Sequence, residues 1–367
     1  MILRRETWRR FDFWLFGAVL ILCIFGIVMI RSAIAGNAQL AESVTRQIIY
    51  VSVGLVVLLG TALIDYRIWA SLTRILYVVA LLSLIGIYIL GRALFGSARW
   101  FDTGVILIQP SELVKIIMIL VLADYFARTA EAPKNLLWVV RSFLLTAGVV
   151  IWILLQPNLS TSIVIMVIWF SLLWISGLPL HYLVIFVILA IIGSVAAFPF
   201  LADYQKERII SFLFPDPNAR HGNVYNVEQA LIAIGSGGLF GMGYGNGTQV
   251  QLRFLKVRHT DFIFSAMAEE FGFVGTVLVI ALLVFVIWRC LYVARHASDR
   301  FGALIAYGVA TLLFFQTAVN IGVNLNVIPV TGLTLPFVSY GGSSLLSLVL
   351  AIGLVESVAV HRTTLDF

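Results

Sequence analysis

Charge is what this chain has least of. Only 11% of its 367 residues are Asp, Glu, Lys or Arg, while 61% are hydrophobic; a soluble globular domain carries about 25% charged residues. With a mean hydropathy of +1.03, a water-soluble fold is excluded and the chain reads as an integral membrane protein. Cysteine is almost absent as well. Cys23 lies inside one apolar run and Cys290 at the end of another, which argues against a disulfide framework, a metal site and a thiol nucleophile. No Gly-x-x-x-x-Gly-Lys-Ser/Thr string occurs. The glycine-rich stretch from Gly235 to Thr248 therefore reads as a tight turn that exposes backbone, not as a nucleotide loop. No basic patch with interleaved aromatics is present, which argues against nucleic acid as a partner.

What is present is a series of apolar stretches. Crossing a hydrocarbon core of ~30 Å takes roughly 20 apolar helical residues. Ten candidates run near residues 11–31, 48–64, 70–90, 111–127, 140–155, 160–176, 181–200, 262–288, 301–325 and 342–360. The expected fold is all-α: one polytopic membrane domain over residues 1–367, with a large extracytoplasmic loop at 201–261. The first stretch, with its arginines and Ala33-Ile34-Ala35, imitates a signal peptide but is too long for one, so it reads as an uncleaved span.

Orientation follows from Lys and Arg, which are retained on the cytoplasmic side. Arg4, Arg5, Arg9 and Arg10 put the N-terminus inside. Alternating from there, Arg67, Arg128, Lys134, Arg289, Arg295, Arg300 and Arg362 all fall inside, and so does the C-terminus. The formal charge of +6 then reflects topology and attraction to anionic membrane lipids.

This topology gathers the unusual polar residues on the outer face, in Gly91–Pro110, Ala202–Asp261 and Asn326–Gly342. Asp261, in Arg258-His259-Thr260-Asp261, stands where an apolar run begins. It can act as the N-cap of the next span or as a general base whose pKa rises beside a low-dielectric surface. Glu112 and Lys115 are three apart and share a helix face. They read equally as a structural ion pair or as part of a site. Glu269 and Glu270 lie within a span, so at least one faces the protein interior. Gln316, Asn320, Asn324 and Asn326 read as interhelical hydrogen bonders.

Five strings in order resemble one family. They are Gln109-Pro110-Ser111-Glu112 with Lys115; Gln156-Pro157 before Thr161-Ser162; Ile234-Gly235-Ser236-Gly237-Gly238-Leu239; His259-Thr260-Asp261-Phe262-Ile263-Phe264; and Pro336 through Ser343. On a ten-span chain they are similar to the SEDS family of shape, elongation, division and sporulation proteins. Gly247-Thr248-Gln249 followed by Gln251-Leu252 resembles its RodA branch more than FtsW. Two places depart from the family pattern: Asn158 and Ser160 stand where Asp and Gly are usual, and Lys256-Val257 where Pro-Glu is usual.

The resemblance implies a peptidoglycan glycosyltransferase that polymerises lipid II for cell elongation and rod shape. Its implied partners are a class B penicillin-binding protein and the elongation machinery. Converting an α-linked donor into a β-linked product with loss of undecaprenyl pyrophosphate is an inverting displacement. It needs a base on the attacking hydroxyl and positive charge at the leaving group, but no general acid. By motif, Asp261 is the implied catalytic carboxylate and Glu112 and Lys115 its electrostatic support. Arg99, Arg208, Lys256 and Arg258 are candidate cations, and Gln109, Gln229 and Ser339 candidate binding residues. No cofactor is implied outright; a divalent cation, Mg or Mn, bridging carboxylate and phosphate is the alternative to protein cations. The competing readings are a lipid II flippase, which would want polar groups near the midplane, and a non-catalytic scaffold that activates its partner.

Overall fold

The computed structural model describes residues 10–36, 40, 42–90, 92–94, 97–102, 107–216 and 222–362. Arg4, Arg5 and Arg9 lie outside them, as does the side chain of Arg99. Ten long helices fall on the ten expected stretches among the described residues: α1 (Phe13–Ala33), α2 (Glu42–Leu63), α3 (Tyr66–Leu90), α4 (Pro110–Arg128), α5 (Leu136–Leu155), α6 (Leu159–Ile175), α7 (Leu180–Ala197), α11 (Ile263–Arg295), α12 (Arg300–Asn324) and α13 (Gly342–Val360). Seven of them, α1, α2, α3, α5, α11, α12 and α13, are long and apolar enough to cross a membrane by length and composition alone.

The starts of these helices are written into the sequence. Asp12, Asn135, Asn158 and Asp299 each accept a hydrogen bond from a first-turn N–H of α1, α5, α6 and α12, and Pro110 opens α4, where a missing N–H costs nothing. The largest difference from the expected boundaries is α2, which begins at Glu42 rather than near residue 48. Its first two turns carry Glu42, Arg46 and Gln47, whose polarity hides the start from a hydropathy reading.

The core is a continuous cluster of buried apolar side chains running from Phe11 to Val360. At its centre α13 packs on α2 so closely that a Cβ on Gly353 would stand 2.9 Å from Leu58 O. Small residues at helix crossings let backbones approach where lipid offers no hydrophobic drive for association. The fold is not helical throughout: β1 (Arg92–Leu94), β2 (Ser97–Asp102) and β3 (Leu107–Ile108) form a small antiparallel sheet in the order β1-β2-β3 before α4.

The long segment 201–261 is built rather than loose. It holds α8 (Asp203–Leu213), α9 (Gly222–Ser236) and the single turn α10 (Thr248–Gln251). Its glycine-rich part plugs a break in α11. Gly272 has φ 67° and ψ −166°, which interrupts the helix and frees backbone groups inside an apolar bundle. The neighbouring loop satisfies them: Met242 and Gly243 donate to Glu269 O and Glu270 O at 2.9 and 3.0 Å, and Phe273 and Val274 donate to Gly238 O and Leu239 O at 2.9 and 3.1 Å. Broken backbone at membrane depth is tolerated only where protein re-satisfies it in this way. The approach leaves no room for side chains, because a Cβ on Gly241 would meet Glu270 O at 2.2 Å. The glycines thus expose backbone to the break.

Glu269 and Glu270 are both buried. Glu269 accepts from Thr248 Oγ1, Gln249 N and Val250 N at 3.2, 2.8 and 3.2 Å, which anchors α10 to α11. Glu270 accepts from Ser32 Oγ on α1. Where the sequence asks for at least one inward acid, the fold uses two, both as struts of the break.

Candidate active site

Asp261 lies in the turn at 256–262, one residue before the N-cap position of α11. The capping reading fails: the N-cap is Phe262, with no side-chain cap hydrogen bond. The cap function is supplied from α12, where Asn324 Oδ1 accepts from Ser265 N at 3.1 Å and Ser265 Oγ at 2.6 Å. Among the described residues no Lys, Arg or His nitrogen comes within the 4.0 Å of an ion pair with the Asp261 carboxylate.

The backbone of the turn is held firmly. Asp261 O accepts from Asn320 Nδ2 and Asn324 Nδ2 at 3.0 and 2.9 Å. Thr260 O accepts from Ser339 Oγ at 2.8 Å, and His259 O from Tyr340 N at 2.9 Å. Three successive carbonyls are thereby pinned by α12 and by the segment leading into α13, while the carboxylate is left uncommitted.

Burial pushes the Asp261 carboxyl up to about 6, and the positive charge of Arg208 pulls it back down. Low dielectric disfavours the charged form and a nearby cation favours it; here burial wins. Arg208 reaches the site across Gly332: a Cβ there would stand 3.9 Å from both Arg208 Nη1 and Asp261 Oδ2. Gly332 has φ +78°, which suits glycine and leaves the space between acid and cation open. His259 is held below the usual imidazole range by burial and by Arg258, so it is neutral at pH 7.

Beyond Arg208 a cleft of about 130 Å³ opens between α8, α9 and the segment 326–330, with Ser211, Asn223, Glu228 and Asn326 on its walls. Gln229 sits half-buried beside Glu228 on α9. The other charged candidates are distributed differently. Arg258 is buried, donating Nε to Ala33 O and Nη1 to Leu255 O at 3.1 Å, so its guanidinium staples the turn to the end of α1. Lys256 is exposed, 6.0 Å from the Tyr225 ring. Arg99 lies in β2. Glu112 and Lys115 pair at 2.9 Å in the first turns of α4, both buried. They connect to the turn through backbone: Gln109 N donates to Ser343 Oγ at 3.0 Å at the start of α13, four residues after Ser339. Gln109 Nε2 itself donates to Ser111 Oγ at 3.1 Å.

Among the described residues no three His, Cys, Asp or Glu side chains gather as a metal site would require. A single available carboxylate does suit Mg²⁺, which is commonly held by one or two carboxylates plus substrate phosphates.

Residues 13–364 match the model of the family of cell cycle proteins that comprises FtsW, RodA and SpoVE. The chain belongs to this family. The SEDS resemblance of the five strings is therefore a true kinship over nearly the whole chain. Relatives include the probable peptidoglycan glycosyltransferase FtsW of Coxiella burnetii, 36% identical over 360 residues (95% of this chain, 96% of that one). The peptidoglycan glycosyltransferase MrdB of Escherichia coli K12 is also 36% identical, over 355 residues (95% and 93%). Among solved structures, one from a study of how a peptidoglycan synthase complex coordinates polymerisation and cross-linking superimposes with a TM-score of 0.80 at 31% identity, covering 95% of this chain and 97% of the other. The rod shape determining protein RodA of Thermus thermophilus gives 0.72 at 32% identity, covering 96% and 98%.

Against the SEDS pattern, the two departures near Pro157 have structural explanations. Asn158 caps α6 by accepting from Thr161 N at 3.3 Å, work an amide does as well as a carboxylate. Ser160 Oγ donates to Thr331 O at 2.5 Å, tying the start of α6 to the residue before Gly332. Tyr204 and Gln205 donate to Pro157 O, which seats α8, and with it Arg208, on the same corner. Gly332 and this seat of α8 escaped sequence reasoning. The only signal was the Thr331-Gly332 pair in an outer segment.

Proposed function

We propose that this chain is a peptidoglycan glycosyltransferase of the RodA branch, polymerising lipid II into glycan strands on the extracytoplasmic side of the bacterial cell membrane. The observation that carries the reading is Asp261: a carboxylate with raised proton affinity, on a turn clamped at three carbonyls, facing a guanidinium across a glycine. The branch is supported by Gly247-Thr248-Gln249 and by the RodA structure among its neighbours; by identity alone FtsW and MrdB stand equal.

In this mechanism Asp261 accepts the proton of the acceptor 4-hydroxyl as its oxygen attacks the anomeric carbon of the donor. The glycosidic bond to pyrophosphate breaks on the opposite face, and the configuration inverts. Pyrophosphate departs as an anion, so a single carboxylate suffices where glycoside hydrolysis needs two. Arg208 is the cation best disposed toward the leaving group. Arg258 is engaged by backbone carbonyls, and Lys256 extends toward Tyr225. A bound divalent ion would take Asp261 as its protein carboxylate and supply charge neutralisation at the phosphates. The buried Glu112–Lys115 pair supports the fold of the outer ends of α4 and α13, and Ser339 positions the turn.

The Lys and Arg distribution supports ten spans with both termini inside; in that topology Asp261, Arg208 and the cleft would lie on the outer face, and there a class B penicillin-binding protein would take up the strands for cross-linking. The test is purified protein with labelled lipid II, in moenomycin and with such a partner. Glycan chains are expected, and their formation must fall by about 100-fold or more in Asp261→Asn. Translocation in liposomes without polymer would instead mark a flippase, and neither activity a scaffold.

A further inference from the structure

At the end of the bundle opposite Asp261, the start of α1 and the ends of α11 and α13 enclose a cavity of about 230 Å³. Among the described residues its wall carries three guanidinium groups, Arg10, Arg289 and Arg362, and one carboxylate, Asp12. The acid is already engaged. Arg289 donates through Nε (2.8 Å) and Nη2 to Asp12 Oδ2, and Asp12 N donates to Glu356 Oε2, behind the wall, at 3.0 Å. Arg10 donates to the backbone carbonyl of Arg362. Arg362 Nε is buried and, among the described residues, has no hydrogen-bond partner. A buried guanidinium donor without an acceptor is costly, and the Arg362 donor beside this cavity suits an anion.

The surroundings say which kind. Phe13 and Trp14, both on the wall, are 60% and 73% exposed, and large aromatics at a helix end mark the level of lipid headgroups. Tyr292 adds an aromatic wall, its ring 4.6 Å from the Arg289 guanidinium. Basic pockets between helices at the cytoplasmic surface are where anionic headgroups bind.

We propose that this cavity binds the phosphate headgroup of an anionic phospholipid, with its acyl chains lying along Phe13 and Trp14. A free phosphate would share the guanidinium contacts but could make no use of the exposed aromatics. The site lies apart from Asp261 and does not depend on the glycosyltransferase reading.

The experiment is native mass spectrometry of the detergent-purified full chain titrated with phosphatidylglycerol and, separately, with phosphatidylcholine. A saturable phosphatidylglycerol adduct is expected. It should weaken about fivefold for each arginine removed in Arg10→Gln and Arg362→Gln, be largely kept in Arg362→Lys, and be unchanged in Arg141→Gln, an exposed arginine elsewhere. Equal binding of phosphatidylcholine, or an adduct indifferent to Arg362→Gln, overturns the proposal. Displacement by inorganic phosphate overturns the lipid assignment. Should a Gln variant fail to fold, the lipid comparison, the phosphate competition on the unaltered chain and the Arg362→Lys variant still decide.

Discussion

At the scale of single residues, Asp261 combines two properties that pull apart. Its carboxyl holds a proton up to about 6 in the folded chain, against 3.8 as the ordinary value. Folding therefore takes up a proton between those pH values, and stability falls as pH rises through that window. The deprotonated form is the one that can act as base. Asp261→Asn should accordingly lower polymerisation by about 100-fold or more while raising the Tm above pH 6, since an amide has no charge to desolvate. A variant that loses activity together with stability would point to a merely structural residue. Arg208 acts on the same carboxylate with the opposite sign. The rate should climb with pH through about 6 in the unaltered chain, and Arg208→Ala, by removing the cation that favours the charged form, should move that limb to higher pH. A pH–rate profile measured well below saturation with lipid II reads this directly; an unmoved limb would detach Arg208 from Asp261.

At the scale of elements, the unusual piece is α11, broken at Gly272 and repaired by the loop from Gly238 to Gly243. The repair fixes where the first half of the helix sits, and with it the turn that carries Asp261. Gly241, at φ +81° with Glu270 O 2.2 Å from any Cβ, has no room for alanine. Gly241→Ala should cost on the order of 1–3 kcal/mol through the backbone conformation alone, with the clash in addition. Glu269→Gln should be milder, because an amide can still accept from Gln249 N; it loses charge assistance at three donors. Thermal unfolding of the two variants in detergent should rank them in that order. Here the limits of sequence reading are physical. Ten helices were legible because apolar runs and caps are local properties, and Asp261 because its string is specific. The break at Gly272 was not, since a lone glycine in an apolar run looks the same whether the helix continues or stops. Sequence leaves Asp261 open between cap and base because the side chain that caps α11, Asn324, comes from 59 residues away, and it leaves Arg258 a candidate cation because only folding buries it against the end of α1.

At the scale of the whole molecule, the two ends of the bundle differ in kind. One end gathers the starts of α4, α6, α11 and α13 with the end of α12, and it carries the polar turn, the cleft and α8 to α10. The other gathers Arg10, Arg128, Arg289, Arg295 and Arg362. An arginine-rich end is held inside during insertion; the proposed function requires the Asp261 end to face out, where it would meet a lipid-linked sugar already carried across the membrane. The native cysteines make this simple to check. Cys23 and Cys290 are both fully buried, out of reach of reagents, so the unaltered chain should be silent toward a membrane-impermeant maleimide. A cysteine at Leu252, 65% exposed in the outer segment, should label in intact cells. One at Glu131, exposed between α4 and α5, should label only after the membrane is opened. Labelling of Glu131→Cys in intact cells would invert the molecule and carry Asp261 to the cytoplasmic side, where a polymerase of the outer face could not work.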